Sequence, residues 1–99
     1  MYKFIIQRFA QIDLDEAFIW YEEKTVGLGF KLIEDFDNTA NKIITNPFYT
    51  TKITIELRAA SLTIFPYEIV YVIEPSTYTI SVIAFSHFKR KPEWYKLRK

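Results

Sequence analysis

The sequence predicts an α+β fold made of an N-terminal strand, a helical hairpin and a following antiparallel sheet. Between residues 13 and 45 the apolar residues recur every three or four positions, which is the period of two amphipathic helices. From residue 52 onward they alternate with polar residues, which is the period of a strand. Helices grouped ahead of a run of strands indicate α+β. A length of 99 residues predicts a single domain over residues 1–99 with one core.

The N-terminal half predicts one strand and two helices. Residues 2–7 are β-branched and aromatic and predict the first strand. The first helix is predicted to begin near Asp13 or earlier, with acidic residues near its start, where the helix dipole favours negative charge. Gly27 and Gly29 predict a tight turn, and the second helix is predicted to end before Pro47. So short a link predicts an antiparallel hairpin.

The C-terminal half predicts three or four antiparallel strands. Residues 52–57 alternate apolar and polar side chains and predict a half-buried strand. Residues 61–74 predict one or two strands around Pro66, which favours a kink or an edge position. Residues 78–86 are apolar on both faces, so we expect this last strand inside the sheet with the helices over one face.

Composition excludes several classes of function. With no cysteine and one histidine, we expect no disulfide, no thiolate nucleophile and no metal site. The chain has no glycine-rich phosphate loop and no nucleophile elbow, so no cofactor is expected. It also has no apolar stretch of membrane-spanning length and no signal-peptide pattern, and we therefore expect a cytoplasmic protein that does not enter a membrane.

The basic charge is concentrated near the C-terminus. Residues 1–50 hold five Lys and Arg against eight Asp and Glu, whereas residues 51–99 hold eight against four. Six of those eight cations and only one of the acids lie in residues 86–99, together with the only histidine and one of two tryptophans. Cations among aromatic residues suit phosphates and bases. The alternative is a solvated, solubilising tail.

A small set of these residues has the chemistry for RNA cleavage. Histidine is the side chain suited to proton transfer at neutral pH, and His87, the only one in the sequence, is the candidate for that role. Arg58 and Arg90 are the candidate cations for the phosphate, provided that the sheet brings Arg58 close to the end of the last strand. The wider set predicted to bind nucleic acid or a target is Lys52, Arg58, Lys89, Arg90, Lys91 and Trp94.

Each of these residues also has a structural interpretation, which stays open. His87 can cap the strand end through a hydrogen bond, and Arg58 can pair across strands with a glutamate. Trp94 and Tyr95 can form a hydrophobic latch that folds the tail onto the sheet. The last cations, Lys96, Arg98 and Lys99, are interpreted as solubilising.

Taken together, the short motifs of this chain resemble those of the RelE/ParE toxins of type II toxin–antitoxin systems. The motifs span nearly the whole chain and are Asp13-Leu14-x-Glu16-Ala17, Trp20-Tyr21, Gly27-Leu28-Gly29, Asn46-Pro47, Arg58, Phe65-Pro66-Tyr67-x-Ile69-x-Tyr71, His87-x-x-Arg90-x-Pro92 and Trp94. The resemblance implies a bacterial cytoplasmic toxin, of the kind used in plasmid stabilisation, that a cognate antitoxin silences.

The family divides into two mechanisms, and the resemblance is closer to the ParE-like branch. ParE-like toxins inhibit DNA gyrase, whereas RelE-like toxins are metal-independent endoribonucleases that cut mRNA on the ribosome. RelE-like nucleases carry several basic residues on the middle strands, where this chain offers only Lys52 and Arg58. Many relatives also place arginine soon after the histidine, where this chain has Phe88-Lys89-Arg90. The resemblance leaves a homodimer open.

Overall fold

The computed structural model describes residues 1–91, 93–96 and 98. Its elements, in chain order, are β1 (Lys3–Ile6), α1 (Arg8–Lys24), α2 (Leu28–Thr45), β2 (Thr51–Lys52), β3 (Leu57–Ser61), β4 (Tyr67–Glu74), a 3₁₀ turn (Pro75–Thr77), β5 (Thr79–His87) and α3 (Glu93–Lys96). The predicted α+β order is therefore confirmed. None of the helices within the described residues is long and apolar enough to cross a membrane.

The five strands form one mixed sheet in the order β1-β5-β4-β3-β2. The four strands from β2 to β5 are antiparallel, as predicted, but β1 joins them parallel to β5, with Lys3 opposite Thr79. The predicted N-terminal strand and the following antiparallel strands are therefore confirmed, and the sequence left open only that the N-terminal strand joins the same sheet in parallel. Strand β5 lies inside the sheet, between β1 and β4, because its apolar residues on both faces need cover on both.

The helical hairpin depends on two glycines and one glutamate. Gly27 adopts a φ of 90°, which is favourable only for glycine. The Glu22 carboxylate accepts the backbone N–H groups of Gly27 at 2.8 Å and Gly29 at 2.9 Å, which caps the start of α2. A Cβ on Gly29 would lie 2.8 Å from the carbonyl oxygen of Phe18, so the helices approach too closely for a side chain there.

Helix α1 begins earlier than its acidic residues suggested. It begins at Arg8 and has no acidic residue in its first turn, so the expectation that acids stabilise its start is wrong. The Gln7 N–H donates to the Val82 carbonyl at 2.9 Å and continues the β1–β5 pairing up to the helix. The sheet therefore determines where α1 begins, and Asp13 is free to act elsewhere.

The core lies between the helices and one sheet face, and a smaller core lies on the other face. Residues such as Leu32 and Ile43 of α2 pack against Ile69 and Ile80, and all four are fully buried. On the opposite face Tyr95 of α3 is 1% exposed and covers Leu57, Val70, Ile83 and Ala84.

The predicted half-buried strand at residues 52–57 is wrong. Only Thr51–Lys52 forms a strand, and the residues that follow make the turn into β3. The Thr54 hydroxyl accepts the N–H groups of Glu56 and Leu57, and Ile55 is 93% exposed at the tip. A side chain that accepts local N–H groups competes with strand pairing, and this outweighs the alternating pattern.

The loop between β3 and β4 is anchored by a buried carboxylate that the sequence did not reveal. Asp35 of α2 is 2% exposed and accepts three consecutive backbone N–H groups. The donors are Thr63 at 3.1 Å, Ile64 at 2.8 Å and Phe65 at 2.9 Å. This contact fixes the loop directly before Tyr67.

Candidate functional site

Strand β1 is shorter than β5, so the second half of β5 has no strand of the described residues beside it on the β1 side. It pairs only with the stretch from Thr79 to Val82. Just beyond, Val70 pairs with Ala84 and Tyr71 with Val82, so Ile83 is an extra residue that forms a β-bulge. The backbone groups of β5 beyond the end of β1, next to this bulge, need other partners.

Those partners are Asp13 of α1 and Arg98 of the C-terminal segment. Asp13 Oδ2 accepts the Phe85 N–H at 3.2 Å, and Arg98 Nη1 donates to the Ile83 carbonyl at 3.0 Å. The two side chains also form a bidentate pair, with N···O distances of 2.6 and 3.2 Å. Arg98, interpreted from the sequence as solubilising, instead fixes the tail to the bulge.

Trp94 connects the Asp13–Arg98 pair to the C-terminal basic segment, residues 86–99. Its Nε1 donates to the Ser86 hydroxyl at 3.1 Å. The guanidinium of Arg90 lies 3.9 Å and that of Arg98 4.5 Å from the centre of its ring. These contacts fit the latch interpretation of Trp94. Lys89 and Lys91 are exposed, whereas Pro92 and Lys99 lie outside the described residues.

Tyr95 is the second residue of the latch. Its buried hydroxyl has no hydrogen-bond partner within the described residues. Burial raises the pKa of Tyr95 to about 12, with smaller contributions from the negative charges of Glu68 and Glu93.

A cleft of about 330 Å³ opens between α1 and the end of β5. Its lining residues are Asp13, Glu16, Ala17, Trp20, Tyr21, Tyr67, Phe85, His87 and Arg90. Two of the predicted site residues, His87 and Arg90, therefore meet here. The acidic and aromatic wall was not predicted as part of a site, although the motifs that resemble the RelE/ParE toxins contain its residues Asp13, Glu16, Trp20, Tyr21 and Tyr67.

Aromatic contacts hold this cleft in place. Tyr67 stacks on Phe85 with ring centres 4.6 Å apart, and its ring meets His87 edge-on at 5.0 Å. The rings of Tyr21 and Tyr67 meet edge-on with their centres 6.2 Å apart, and burial raises the pKa of both tyrosines. His87 Nδ1 accepts the Lys89 N–H at 3.0 Å, so Nε2 is the nitrogen left to carry a proton.

Arg58 lies in a different part of the sheet. Its Nη1 donates to the carbonyls of Phe48 at 3.2 Å and Thr50 at 2.7 Å, in the loop that leads into β2. Lys52 lies directly opposite Arg58 on β2, and both line a separate cleft. The two residues therefore form a basic pair at the far edge of the sheet.

The strand register separates Arg58 from His87. Arg58 lies opposite Tyr71, whereas His87 lies opposite Tyr67, four positions along β4 and on the other side of it. At strand spacings of about 4.8 Å and a rise of about 3.3 Å per residue, the two Cα atoms lie roughly 16 Å apart. The expected proximity of Arg58 to the end of the last strand is thus not observed.

Comparison with known proteins identifies the fold. A chain of the chromosomal ParDE toxin–antitoxin system from P. aeruginosa superposes with a TM-score of 0.76 over 90% of this chain and 98% of its own. The isolated RelE toxin of E. coli gives 0.68 over 98% and 95%. The chain has the RelE/ParE toxin fold. Sequence identities are 15% and 13%, so the likeness is one of fold.

No family model matches the chain, and no curated protein matches it. The RelE/ParE fold agrees with the resemblance inferred from the short motifs, while the assignment of residues to roles depends on the geometry described above.

Proposed function

We propose that this chain is the toxin of a bacterial type II toxin–antitoxin system and acts in the ParE-like manner. In this function it inhibits growth by binding a nucleic-acid machine, with DNA gyrase as the favoured target, in the cytoplasm. A cognate antitoxin neutralises it. The RelE/ParE fold supports the toxin assignment.

Arg58 and His87 lie far apart in the sheet, and this separation favours a binding mechanism over RNA cleavage. Cleavage by 2′-hydroxyl attack needs its acid, base and cations around one phosphate. Arg58 is instead held by two backbone carbonyls near β2, while His87 and Arg90 line the cleft beside α1. A nuclease that used all three residues together would require the sheet to rearrange.

The C-terminal basic segment is the favoured surface for the gyrase–DNA complex. Lys89, Arg90 and Lys91 are consecutive and exposed. Stacking on Trp94 fixes one face of the Arg90 guanidinium and leaves its N–H edge available to an anion. Lys52 and Arg58 at the opposite sheet edge form a second basic site for the target.

An antitoxin is proposed at the sheet edge and along the hairpin. One solved structure with this fold is of a ParDE toxin–antitoxin system, and this supports a partner of that class. The outer side of α1 exposes Phe9, Ile12, Ile19 and Trp20, which is a large apolar area for a small protein. The same area admits a homodimer, which size-exclusion chromatography of the free toxin distinguishes.

A supercoiling assay with purified gyrase and relaxed plasmid tests the function. We expect the protein to inhibit supercoiling, and we expect Arg90→Gln to weaken the inhibition. Lys96→Gln is the matched control, because Lys96 is an exposed cation of the same segment that lies outside the cleft. Undiminished supercoiling at a large excess of folded protein would refute the gyrase target.

The alternative function is a RelE-like, ribosome-dependent mRNA endoribonuclease. The specific observation in its favour is that His87 and Arg90 share one cleft with two tyrosines. It predicts codon-dependent cuts in mRNA during translation, which would disappear in His87→Ala. If Arg58→Ala abolished the cuts as well, Arg58 would have to reach the same phosphate, contrary to the register described here.

A further inference from the structure

The cleft beside α1 has an aromatic wall that the proposed target surface leaves unused. Trp20 is 54% exposed at its mouth, although a tryptophan at the surface costs solubility. Tyr67 lies deeper and is fixed by its stack on Phe85 and by the edge-on contact of its ring with that of Tyr21. Rigid aromatic rings that reach solvent offer stacking surfaces for the flat faces of nucleobases.

Charges at this cleft are arranged with opposite signs on its two walls. Glu16 of α1 is exposed on one wall, and Arg90 stands on the other. A carboxylate accepts hydrogen bonds from the amino groups of bases, and a guanidinium binds phosphate. Asp13 is also on the α1 wall, but its carboxylate already holds Arg98. The walls therefore match the two ends of one nucleotide, base toward α1 and phosphate toward Arg90.

The volume of the cleft suits a single nucleotide. Its volume of about 330 Å³ is at the lower end of ligand-binding clefts, which span about 300–1,000 Å³. Bases in a duplex are stacked and paired, so only an unpaired or extruded base can enter a cleft between a helix and a sheet.

We propose that this cleft binds one unpaired nucleobase of the target nucleic acid, with its phosphate on Arg90. The inference rests on the proposed function and identifies what the site takes from the nucleic-acid machine. It assigns Trp20 and Tyr67 to stacking and Glu16 to base selection, three residues outside the basic segment.

Tryptophan fluorescence of the purified chain tests the stacking. Short single-stranded DNA should quench the emission, whereas the same sequence as a duplex, or with abasic sites, should bind at least about tenfold more weakly. Trp20→Leu should weaken binding about tenfold, measured by anisotropy of a labelled oligonucleotide. Phe30→Leu is the matched control, because Phe30 is an aromatic residue 66% exposed outside the cleft. Equal binding of abasic and intact strands would overturn the proposal.

The charged walls have separate tests. Arg90→Gln should weaken binding several-fold and lower the salt slope by about 0.7, the value for one phosphate contact on a single strand. Lys96→Gln should leave the slope closer to that of the wild type.

Glu16→Gln changes an exposed side chain and therefore spares the fold. It should reduce any preference for strands of dA or dC, which carry amino groups, over strands of dT. An unchanged order of preference would exclude Glu16 from base selection.

The outcomes separate this inference from the proposed function. Inhibition of gyrase that Trp20→Leu leaves intact, with no binding of single strands, would overturn the nucleobase cleft and leave the function standing. Binding of single-stranded RNA in clear preference to DNA would support the cleft and favour the ribosomal alternative. Failure of both assays would reject both proposals.

Discussion

Replacing Asp35 by asparagine tests the anchor of the loop between β3 and β4. The carboxylate accepts three N–H groups, and it is 2% exposed. The best orientation of an asparagine keeps the acceptor that serves Ile64 and Phe65, but it turns an NH₂ group toward the N–H of Thr63. The substitution therefore removes one bond and the charge that strengthens the other two.

The expected loss is about 2–3 kcal/mol of unfolding free energy. Hydrogen bonds to charged groups contribute about 1.5–3 kcal/mol each and neutral ones about 0.5–1.5 kcal/mol. Two effects reduce the expected loss. Thr63 is an exposed residue, so its N–H can bind water instead, and a buried carboxylate carries a desolvation cost that asparagine avoids. For a domain of this size the loss corresponds to about 10–20 °C in Tm.

Urea denaturation and thermal unfolding, followed by circular dichroism, measure the effect. Asp37→Asn is the matched control, because Asp37 is exposed on the same helix, and it should change stability by less than about 0.5 kcal/mol. If Asp35→Asn were as stable as this control, the three N–H contacts would contribute nothing, and the account of how the loop positions Tyr67 would be wrong.

Two further predictions concern the hairpin and the latch. Gly29→Ala should destabilise by about 1–3 kcal/mol in chemical denaturation, because the new Cβ meets Phe18, including its carbonyl oxygen, at 2.8 Å; a cost near zero would contradict this close approach. Tyr95→Phe should change stability at pH 7 by less than about 0.5 kcal/mol, since the hydroxyl has no partner within the described residues. The pKa of Tyr95 rises from 10.0 to about 12 on folding, so its contribution is complete below pH 10 and is lost as pH rises toward 12, at up to about 1.4 kcal/mol per unit. Stability measured across pH 9–12 should therefore fall less steeply in Tyr95→Phe, and parallel curves would refute the assignment.

The order of elements could be predicted from the sequence because it depends on local patterns. The periods of three to four and of two, the glycines at 27 and 29 and the Asn46-Pro47 stop identified both helices and the strands that follow. The pattern failed at residues 52–57, where the Thr54 side chain forms a turn. It also gave no indication that β1 pairs parallel to β5, since pairing partners are chosen by distant residues.

The candidate site was only partly predictable. His87 and Arg90 were identified from the chain's basic end, and they do share a cleft. Arg58 was expected beside them, but the structure places it elsewhere in the sheet. The register of β3, β4 and β5, which decides this distance, cannot be read from one strand at a time. The acidic and aromatic wall was missed because its residues come from α1 and from β4, far apart in sequence.

The sequence by itself determined the α+β class, the helical hairpin and a C-terminal segment in which six cations surround one acid. Only the tertiary structure decided what that segment does. Its Arg98 reaches back to Asp13 and the bulge in β5, its Tyr95 covers a sheet face, and its Arg90 stacks on Trp94 beside the cleft. Charge and period are properties of neighbouring residues, whereas the open edge of β5 beyond β1, with its bulge, exists only after strands have paired. Asp13 and Arg98 bind at that edge and fix the basic segment next to α1.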